Sequence, residues 1–303
     1  MLGGSLVAES LSFTEKDGQA VDIQTSPGEC LSPFLRWAGG KRWLVPEVRN
    51  MLRNSEIGDY HEPFLGGGAM FFGLGVSGEA HLSDMNSDLI EMYRSVRDNH
   101  LSVHRYLEQY DNTADCYYEV RSNVPRGRYQ RAARFIFLNH TSYNGIYRVN
   151  LNGKYNVPFG RRENPQIPSK SALAAASRRL REAHLWVEDF SSSVARISSN
   201  DLVFLDPPYT VAHNNNGFVK YNERLFSFDD QRRIRNYLDE VQRRGAYFIL
   251  TNAAHDSIAE LFGDIGRRMV VHRRNSIGGG GAARGRADEY LFTNLREAHG
   301  DPG

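Results

Sequence analysis

The amino-acid sequence predicts an α/β fold whose sheet is doubly wound and mostly parallel. Three observations predict it: a glycine-rich turn joins a short strand to an apolar helix, two short strands lead directly into aspartates, and strands alternate with helices in the second half of the chain. Ligands of such sheets bind at the carboxyl ends of the strands. The chain of 303 residues is long enough for one large domain that carries an insertion.

Three strands are predicted from their apolar residues and from the residues directly after them. Residues 60–64 form a strand that leads into three glycines at 66–68 and then into the apolar start of a helix. Residues 80–84 form a short strand that ends on an aspartate. Residues 201–205 contain a continuous apolar run, as a strand covered on both faces requires, and Asp206 follows them.

A helix and a further strand continue the alternation. Ser227 begins a capping box, in which a serine and an acidic residue three positions later satisfy each other's backbone N–H groups. Gly245 marks the end of this helix, and residues 246–250 form the next strand. The apolar face of the helix consists of Ile234, Leu238 and Val241.

Three segments depart from the alternation. Residues 1–32 are rich in Gly, Ser and Gln without a sustained period and are predicted to be a flexible leader. Residues 111–170 are rich in Tyr, Asn, Arg, Gly and Pro and are predicted to be an inserted domain. Residues 277–283, with four glycines in succession, predict a mobile loop. The sheet domain then comprises residues 33–110 and 171–298.

The charge of the chain is distributed unevenly, although its net value is only +1. Nine Lys and Arg residues lie between positions 121 and 162 and six between 267 and 286, and neither stretch contains an acidic residue. Such basic zones are typical of a surface that binds a polyanion, because neutralisation of phosphates supplies most of the non-specific affinity for DNA. Charge alone favours this interpretation no more than a solvated arginine-rich surface.

The sequence gives no support for disulfides, a zinc site, a signal peptide or a membrane span. Cys30 and Cys116 are too few for a disulfide framework, and the ten histidines show no zinc-binding spacing, so we predict no metal. The N-terminus lacks a signal-peptide pattern, and no apolar run reaches the length of about 18 residues that suggests a membrane span. These features predict a soluble, cytoplasmic protein that does not bind membranes.

Asp206-Pro207-Pro208-Tyr209 is the strongest candidate for a catalytic motif. Two prolines cannot continue a central strand, so they predict a rigid turn that projects from its end. The amino group of a nucleobase is a poor nucleophile because its lone pair is delocalised into the ring. The Asp206 carboxylate and the Pro207 carbonyl can accept hydrogen bonds from both N–H groups of such an amine, while Tyr209 offers an aromatic face to the base.

The glycine turn at 66–68 predicts a cofactor site. Glycines let the backbone approach a ligand closely, and Asp84, at the end of the next strand, is placed to accept both hydroxyls of a ribose. Together they indicate a cofactor that carries a nucleoside. A purely structural turn would explain the glycines alone equally well.

These motifs resemble those of the DNA adenine methylase (Dam) family, in its α-type group, from about Pro33 to Thr293. Residues 34–41 resemble the family's opening cofactor motif, 62–68 its glycine loop and 84–89 its ribose motif, and Asp206-Pro207-Pro208-Tyr209 is its catalytic motif. The resemblance implies a Rossmann-like methyltransferase sheet and a site-specific enzyme that transfers a methyl group from S-adenosylmethionine to N6 of a flipped-out adenine in double-stranded DNA. The cofactor contacts that it implies are Trp37, Lys41, Glu62, Pro63, Phe64, Gly66, Gly67, Gly68, Asp84, Asp189, Phe190 and Asp206.

Within that set, the resemblance implies that Lys41 lies near the cofactor carboxylate and that Asp189 and Phe190 flank its adenine. A lysine is chemically suited to pair with a carboxylate.

Residues 139–150 and 153–160 resemble the target-recognition hairpin of the family and lie within the first basic zone. The resemblance implies that the inserted domain, residues 111–170, recognises the target, with GATC as the sequence read. It places Tyr143 and Asn144 in the gap left by the flipped base. The other DNA contacts that it implies are Arg36, Ile146, Arg148, Asn150 and Pro158, of which Ile146, Arg148 and Pro158 would face base edges.

Related functions stay open at this point. An N4-cytosine methyltransferase needs the same amine chemistry, and a protein-glutamine or ribosomal-RNA methyltransferase would use a similar turn without a basic hairpin. A catalytically silent DNA-binding protein of the same fold would not require an intact catalytic motif. The sequence does not decide whether a companion restriction endonuclease exists, whether the role is solitary or phage-borne, or which oligomeric state the protein has.

Overall fold

A seven-stranded sheet forms the centre of the computed structural model, which describes residues 30–150, 152–209, 226–274 and 286–296. The strands are β1 (Tyr60–Glu62), β2 (Ala80–Asp84), β3 (Ala183–Val187), β4 (Leu202–Leu205), β5 (Tyr247–Ala253), β6 (Arg267–Arg274) and β7 (Arg286–Thr293). The helices are α1 (Val45–Leu52), α2 (Ala69–Leu74), α3 (Ser87–Leu107), α4 (Ala114–Ser122), α5 (Arg128–Thr141), α6 (Lys170–Leu180), α7 (Phe228–Arg243) and α8 (Asp256–Phe262). Short 3-10 helices cover Arg42–Leu44, Tyr143–Gly145 and Phe190–Arg196. The predicted mobile loop at 277–283 lies outside the described residues.

The strands are ordered β3-β2-β1-β4-β5-β7-β6, which confirms the predicted doubly wound α/β sheet. Strands β1 to β5 pair in parallel, whereas β7 is antiparallel to both β5 and β6. The winding reverses between β1 and β4, and ligands of such sheets bind where the order reverses. The loops after β1 and β4 therefore start side by side at the carboxyl edge of the sheet.

Helices cover both faces of the sheet, as the continuous apolar run in β4 predicts. Leu202 and Phe204 belong to one hydrophobic core with α1 to α6, and Val203 and Leu205 belong to a second core with α7 and α8. Successive side chains of a strand point to opposite faces, so β4 contributes to both cores. Of the helices in the described ranges, none is both long and apolar enough to cross a membrane.

Helix α7 begins and ends as predicted. Ser227 and Asp230 form the capping box, and the buried face includes Ile234, Leu238 and Val241. Gly245 comes after the helix with φ of 76°, a left-handed conformation that glycine adopts without strain. Strand β5 continues beyond the predicted 246–250 because β7 pairs with it as far as Ala253.

The chain between β2 and β3 contains α3, α4, α5, a hairpin and α6. Helix α5 packs along α3, and its buried Ile136 and Phe137 belong to the same core as Leu82 of the sheet. The first part of the segment 111–170 is therefore continuous with the main core, and the hairpin extends from the end of α5. At the other end of the described chain, Leu31 donates its backbone N–H to the carbonyl of Phe72 at 2.9 Å, so residues just before Pro33 already contact α2. Residues 1–29 of the predicted leader lie outside the described ranges.

Candidate active site and nucleic-acid interface

The turn after β4 places Asp206 at the carboxyl edge of the sheet, where it has two protein partners. Thr251 of the adjacent strand β5 donates its hydroxyl to Oδ1 of Asp206 at 2.8 Å. Nζ of Lys41 lies 2.7 Å from Oδ1 and 2.9 Å from Oδ2 of the same carboxylate. Asp206 is thus held as an oriented carboxylate that still has 22% of its side chain exposed.

Lys41 is buried between two acidic side chains. It precedes the 3-10 helix Arg42–Leu44, donates to the carbonyl of Gly39 at 2.9 Å, and lies 3.5 Å from Oε2 of Glu289 on β7. Its ammonium is also 5.1 Å from the centre of the Tyr209 ring. A buried ammonium is stabilised only by such partners. The expected contact of Lys41 with the cofactor carboxylate would bring a third carboxylate to this group and stays a prediction.

Tyr209 is linked to the same network. Its hydroxyl donates to Oε2 of Glu289 at 2.7 Å. Burial, together with the charges of Asp206 and Glu289, raises the pKa of Tyr209 well above its usual value, so the hydroxyl stays protonated. This hydrogen bond holds the Tyr209 ring in place at the end of the turn. Stacking of the ring on a base stays a prediction.

Trp37 packs closely on the glycine loop, whereas the predicted approach of a ligand to this loop stays a prediction. Gly66 and Gly68 adopt φ values of 48° and 65°. A Cβ atom on Gly66 would lie 2.7 Å from Nε1 of Trp37, and one on Gly67 would lie 2.8 Å from its Cβ. Side chains at these positions would therefore displace the indole that covers the loop.

Asp84 ends β2 beside this loop and binds its backbone. The carboxylate accepts the N–H of Gly66 at 3.0 Å and the N–H of Asn86 at 2.9 Å. Burial raises its pKa, an effect that these two hydrogen bonds oppose. Each carboxylate oxygen can accept a further bond, so Asp84 keeps the capacity to bind ribose hydroxyls. Asp84 thus has the acceptors that a ribose would need, and binding of a nucleoside at the loop stays a prediction.

Glu62 lies beneath the glycine loop, directly before Pro63. It is buried, and Oε2 accepts the Tyr60 hydroxyl at 2.9 Å and the N–H of Phe71 at 3.1 Å. Burial raises the pKa of Glu62 to about 8, so the side chain is largely neutral near neutral pH. The bond from Phe71 joins β1 to α2, whereas the bond from Tyr60 lies within β1. The contact of Glu62 with the cofactor stays a prediction.

Asp189 and Phe190 lie at the start of the 3-10 helix Phe190–Arg196. Asp189 caps that helix through the N–H of Ser191 and forms an ion pair with Arg233 at 2.6 Å. Phe190 is buried, and its ring stacks on Phe64 of the loop after β1, with centres 5.3 Å apart. The structure thus brings Phe190 to the glycine loop, whereas adenine binding between Asp189 and Phe190 stays a prediction.

The predicted recognition hairpin, of which the structure pairs Ser142 with Phe159 and Val149 with Tyr155, is joined to the segment that carries Arg36 and Trp37. The buried Asn139 accepts the N–H of Arg36 at 2.8 Å and donates to the carbonyls of Arg36 and Gly145 at 2.6 and 3.3 Å. Trp37 stacks on Tyr147 of the hairpin, with centres 6.1 Å apart and ring planes at 20°. Trp37 therefore lies between the glycine loop and the hairpin.

The hairpin presents most of its predicted DNA contacts to solvent. Antiparallel bridges join Ser142 to Phe159 and Val149 to Tyr155. Tyr143 is 56% exposed, and Asn144 next to it adopts φ of 56°. Of the remaining predicted contacts, Arg148, Asn150 and Pro158 are exposed, whereas Ile146 and Arg36 are half-buried.

Several arginines of the first basic zone have structural partners. Arg134 donates to the carbonyls of Val120 and Arg121 at 2.8 and 2.7 Å, and burial lowers its pKa. Arg121 donates to the carbonyl of Val157, and Arg128 pairs with Asp98 at 2.7 Å. Fewer of these arginines are therefore free to contact a polyanion directly than the sequence count suggests.

Sequence reasoning missed Thr251 and Glu289, which complete the network around Asp206. Glu289 directly precedes the apolar stretch Tyr290-Leu291-Phe292, and a buried acid in a strand is a signal of function. The sequence also does not reveal that Asp59, Glu79 and His81 bring ligand atoms within 4.8 Å of one another. That group lies at the amino ends of β1 and β2, at the edge of the sheet opposite to Asp206.

Comparison with known proteins identifies the family of this chain. Residues 37–277 match the family described as D12 class N6 adenine-specific DNA methyltransferase. The chain is 32% identical over 274 residues to a Type II methyltransferase of Lactococcus lactis subsp. cremoris, covering 87% of this chain and 95% of the relative. It is 32% identical over 269 residues to a Type II methyltransferase of Methanocaldococcus jannaschii, covering 80% and 92%. It is also 32% identical over 265 residues to a DNA adenine methylase of Escherichia coli, covering 85% and 93%.

The matched span includes residues 37–41 of the opening motif, the glycine loop, the hairpin and the catalytic turn. The resemblance to the Dam family and the expectation of an adenine-specific enzyme that uses S-adenosylmethionine are confirmed. This chain therefore belongs to the D12 class of N6 adenine-specific DNA methyltransferases.

Proposed function

We propose that this enzyme methylates N6 of an adenine that has left the DNA helix, within the duplex sequence GATC, and that Asp206 and the Pro207 carbonyl accept hydrogen bonds from the target amine. The observation that carries the proposal is the oriented Asp206 carboxylate at the switch between β1 and β4, beside the glycine loop and Asp84. Both acceptors sit on a rigid Pro-Pro turn. Their hydrogen bonds favour a pyramidal nitrogen whose lone pair can attack a methyl group.

S-adenosylmethionine supplies an electrophilic methyl group in this proposal. Asp84 holds ribose hydroxyls, the loop from Glu62 to Gly68 lies against the nucleoside, and Trp37 covers that loop. Lys41, Asp189 and Phe190 complete the proposed contacts. The remaining acceptor capacity of Asp84 and the glycines' close fit to Trp37 support this arrangement.

The target adenine is proposed to leave the helix because an amine engaged in a base pair cannot present its lone pair. Tyr209, whose hydroxyl is anchored on Glu289, would stack on the extruded base. The exposed Tyr143 and the adjacent Asn144 would fill the gap in the duplex. A duplex with 2-aminopurine at the target position should become more fluorescent when the protein binds, and a competent complex without that rise would contradict extrusion.

The segment 111–170 is proposed to recognise the target through the hairpin. Arg148, Asn150 and Pro158 are exposed, and Ile146 lies beside them. The backbone of Arg36 is hydrogen-bonded to Asn139, and its side chain would add a DNA contact next to the active site. The proposal of GATC as the target rests on the resemblance of this hairpin to the recognition hairpin of the Dam family. It is tested by measuring methylation of duplexes that are each altered at one base pair.

The decisive experiment replaces Asp206. Asp206→Ala should abolish methylation of adenine while the protein stays folded, because Glu289 remains as a partner for the buried Lys41. Asp206→Asn keeps one acceptor oxygen and should retain a small residual rate. The readout is N6-methyladenine in nucleosides digested from a methylated duplex, which also distinguishes N4-methylcytosine.

The matched control is Asp288→Asn, which removes an exposed carboxylate paired with His272. It should leave the rate unchanged. An Asp206→Ala protein that methylates at the parental rate would show that Asp206 does not hold the target amine.

A companion restriction endonuclease is a further proposal, and two of the relatives are named Type II methyltransferases. Genes that flank the coding sequence would test it: an endonuclease gene beside it supports a restriction–modification system, and its absence favours a solitary enzyme.

A further inference from the structure

Glu289 is a buried carboxylate outside the motifs described above and outside the family match at residues 37–277. It lies on β7, pairs in register with Ala253 of β5 and Val271 of β6, and is only 5% exposed. Its neighbour Asp288 points to the other face and is exposed. Burial of a carboxylate is costly unless the group is paired. The partners of Glu289 are the Tyr209 hydroxyl at 2.7 Å and the Lys41 ammonium at 3.5 Å, so the strand brings this charge to the catalytic turn.

In this structure the ammonium of Lys41 binds the carboxylate of Asp206. It contacts both oxygens of Asp206, and Thr251 already donates to Oδ1. The target amine must bind the same carboxylate. Positive charge also develops on the amine nitrogen as the methyl group arrives, and a lysine bonded to Asp206 would weaken the carboxylate as an acceptor and repel that charge.

We propose that Glu289 is a positioning residue that draws Lys41 away from Asp206 when the target amine binds and holds Tyr209 in place through its hydroxyl. Lys41 stays anchored on the carbonyl of Gly39, and its ammonium already lies between the two carboxylates. A change in the last side-chain torsions therefore suffices to move the ammonium. This inference rests on the proposed role of Asp206.

The test separates the rate of the chemical step from binding. Glu289→Gln keeps the shape of the side chain and removes its charge, so the single-turnover rate at saturating DNA and S-adenosylmethionine should fall about tenfold or more. The dissociation constants for both should change by less than about threefold. Glu289→Asp keeps a carboxylate on a shorter chain and should recover part of the rate.

Asp288→Asn, one residue away on the exposed face, is the matched control and should behave as the parent. Equal rates for Glu289→Gln and Asp288→Asn would overturn the inference. It would also be overturned if Glu289→Gln lowered the rate only together with both affinities and the melting temperature, or if Glu289→Asp were no better than Glu289→Gln.

The parental protein and Asp206→Ala are measured in the same series. An inactive Asp206→Ala beside a fully active Glu289→Gln would refute the role of Glu289 alone. An Asp206→Ala protein as active as the parent would refute the proposed function and the role of Glu289 with it.

Discussion

The side chain of Arg148 is held by a hydrogen bond within the hairpin, unlike the side chains of the other arginines described above. Its Nε donates to Oδ1 of Asn156 across the hairpin at 2.9 Å, and the rest of the side chain is exposed. The bond restricts the guanidinium without burying it. An arginine held in this way can present its terminal nitrogens to a base edge, and the same bond can also brace the hairpin. Arg126, by contrast, is exposed in the loop before α5, outside the hairpin.

Arg148→Ala should relax the sequence specificity of methylation. An arginine that binds guanine at both O6 and N7 discriminates against a wrong base by about 1–3 kcal/mol, whereas loss of a phosphate contact weakens all sequences alike. Competition between the cognate duplex and duplexes altered at one base pair, at fixed salt, measures the difference.

Arg126→Ala is the control and should weaken binding to every sequence and flatten the salt dependence. Arg128 is less suited to this purpose because it pairs with Asp98. An Arg148→Ala protein that lost cognate and altered sites by the same factor would identify Arg148 as a bracing or phosphate-binding residue.

The recognition hairpin is anchored to the methyltransferase sheet through one buried amide and one ring stack. Asn139 binds both backbone groups of Arg36 and the carbonyl of Gly145, while Tyr147 packs on Trp37 and donates its hydroxyl to Asp88 of α3 at 2.9 Å. These contacts join the hairpin that we propose to read DNA to Trp37, which packs on the glycine loop. A substitution at the base of the hairpin is therefore expected to shift the position of Trp37.

Asn139→Leu should loosen this anchor with little change in volume. The N–H and C=O of Arg36 would lose their partners, and an unsatisfied buried group costs about 1–3 kcal/mol of unfolding free energy. Urea unfolding should show that loss, and trypsin should cleave the hairpin faster at Arg148.

Asn150→Ala is the comparison for that experiment. Asn150 binds the backbone only at the exposed tip of the hairpin, so this variant should lose much less stability. Equal losses for the two variants would mean that Asn139 does not anchor the hairpin.

At the scale of the whole molecule, two buried neighbours in β1 make opposite contributions to the pH dependence of stability. Burial raises the pKa of Glu62 from 4.5 to about 8 and lowers the pKa of His61 from 6.5 to about 4. Glu62 therefore contributes stability that is fully present below pH 4.5 and is lost as pH rises through 8. His61, which hydrogen-bonds Asp201 at 3.0 Å, contributes stability that is present above pH 6.5 and is lost as pH falls through 4.

The two effects oppose each other between pH 4.5 and 6.5, and only that of Glu62 remains above this range. The free energy of unfolding should therefore decrease from about pH 6.5 to about pH 8, as urea titrations at several pH values can show. Glu62→Gln retains an acceptor for Tyr60 and Phe71 and should flatten the decrease. Glu79→Gln, at an exposed site, should retain it, and a parental protein with constant stability over this range would contradict a neutral Glu62.

The sequence by itself determined the parts of this protein that depend on local patterns. The apolar run of β4, the capping box of α7 and the glycine turn before α2 each depend on residues a few positions apart, and each forms where it was expected. The motifs around Trp37, Asp84 and Asp206 identified the family for the same reason, since each is a short contiguous segment.

The tertiary structure alone decided which of these segments meet and what else joins them. The resemblance assigns Lys41 to the cofactor, a contact that stays a prediction, but only the strand order shows that Lys41 also lies between Asp206 and Glu289. The indole of Trp37 is the group that approaches Gly66 and Gly67. Such contacts join residues far apart in the chain, and they depend on strand order and side-chain packing, which no local period of apolar and polar residues encodes.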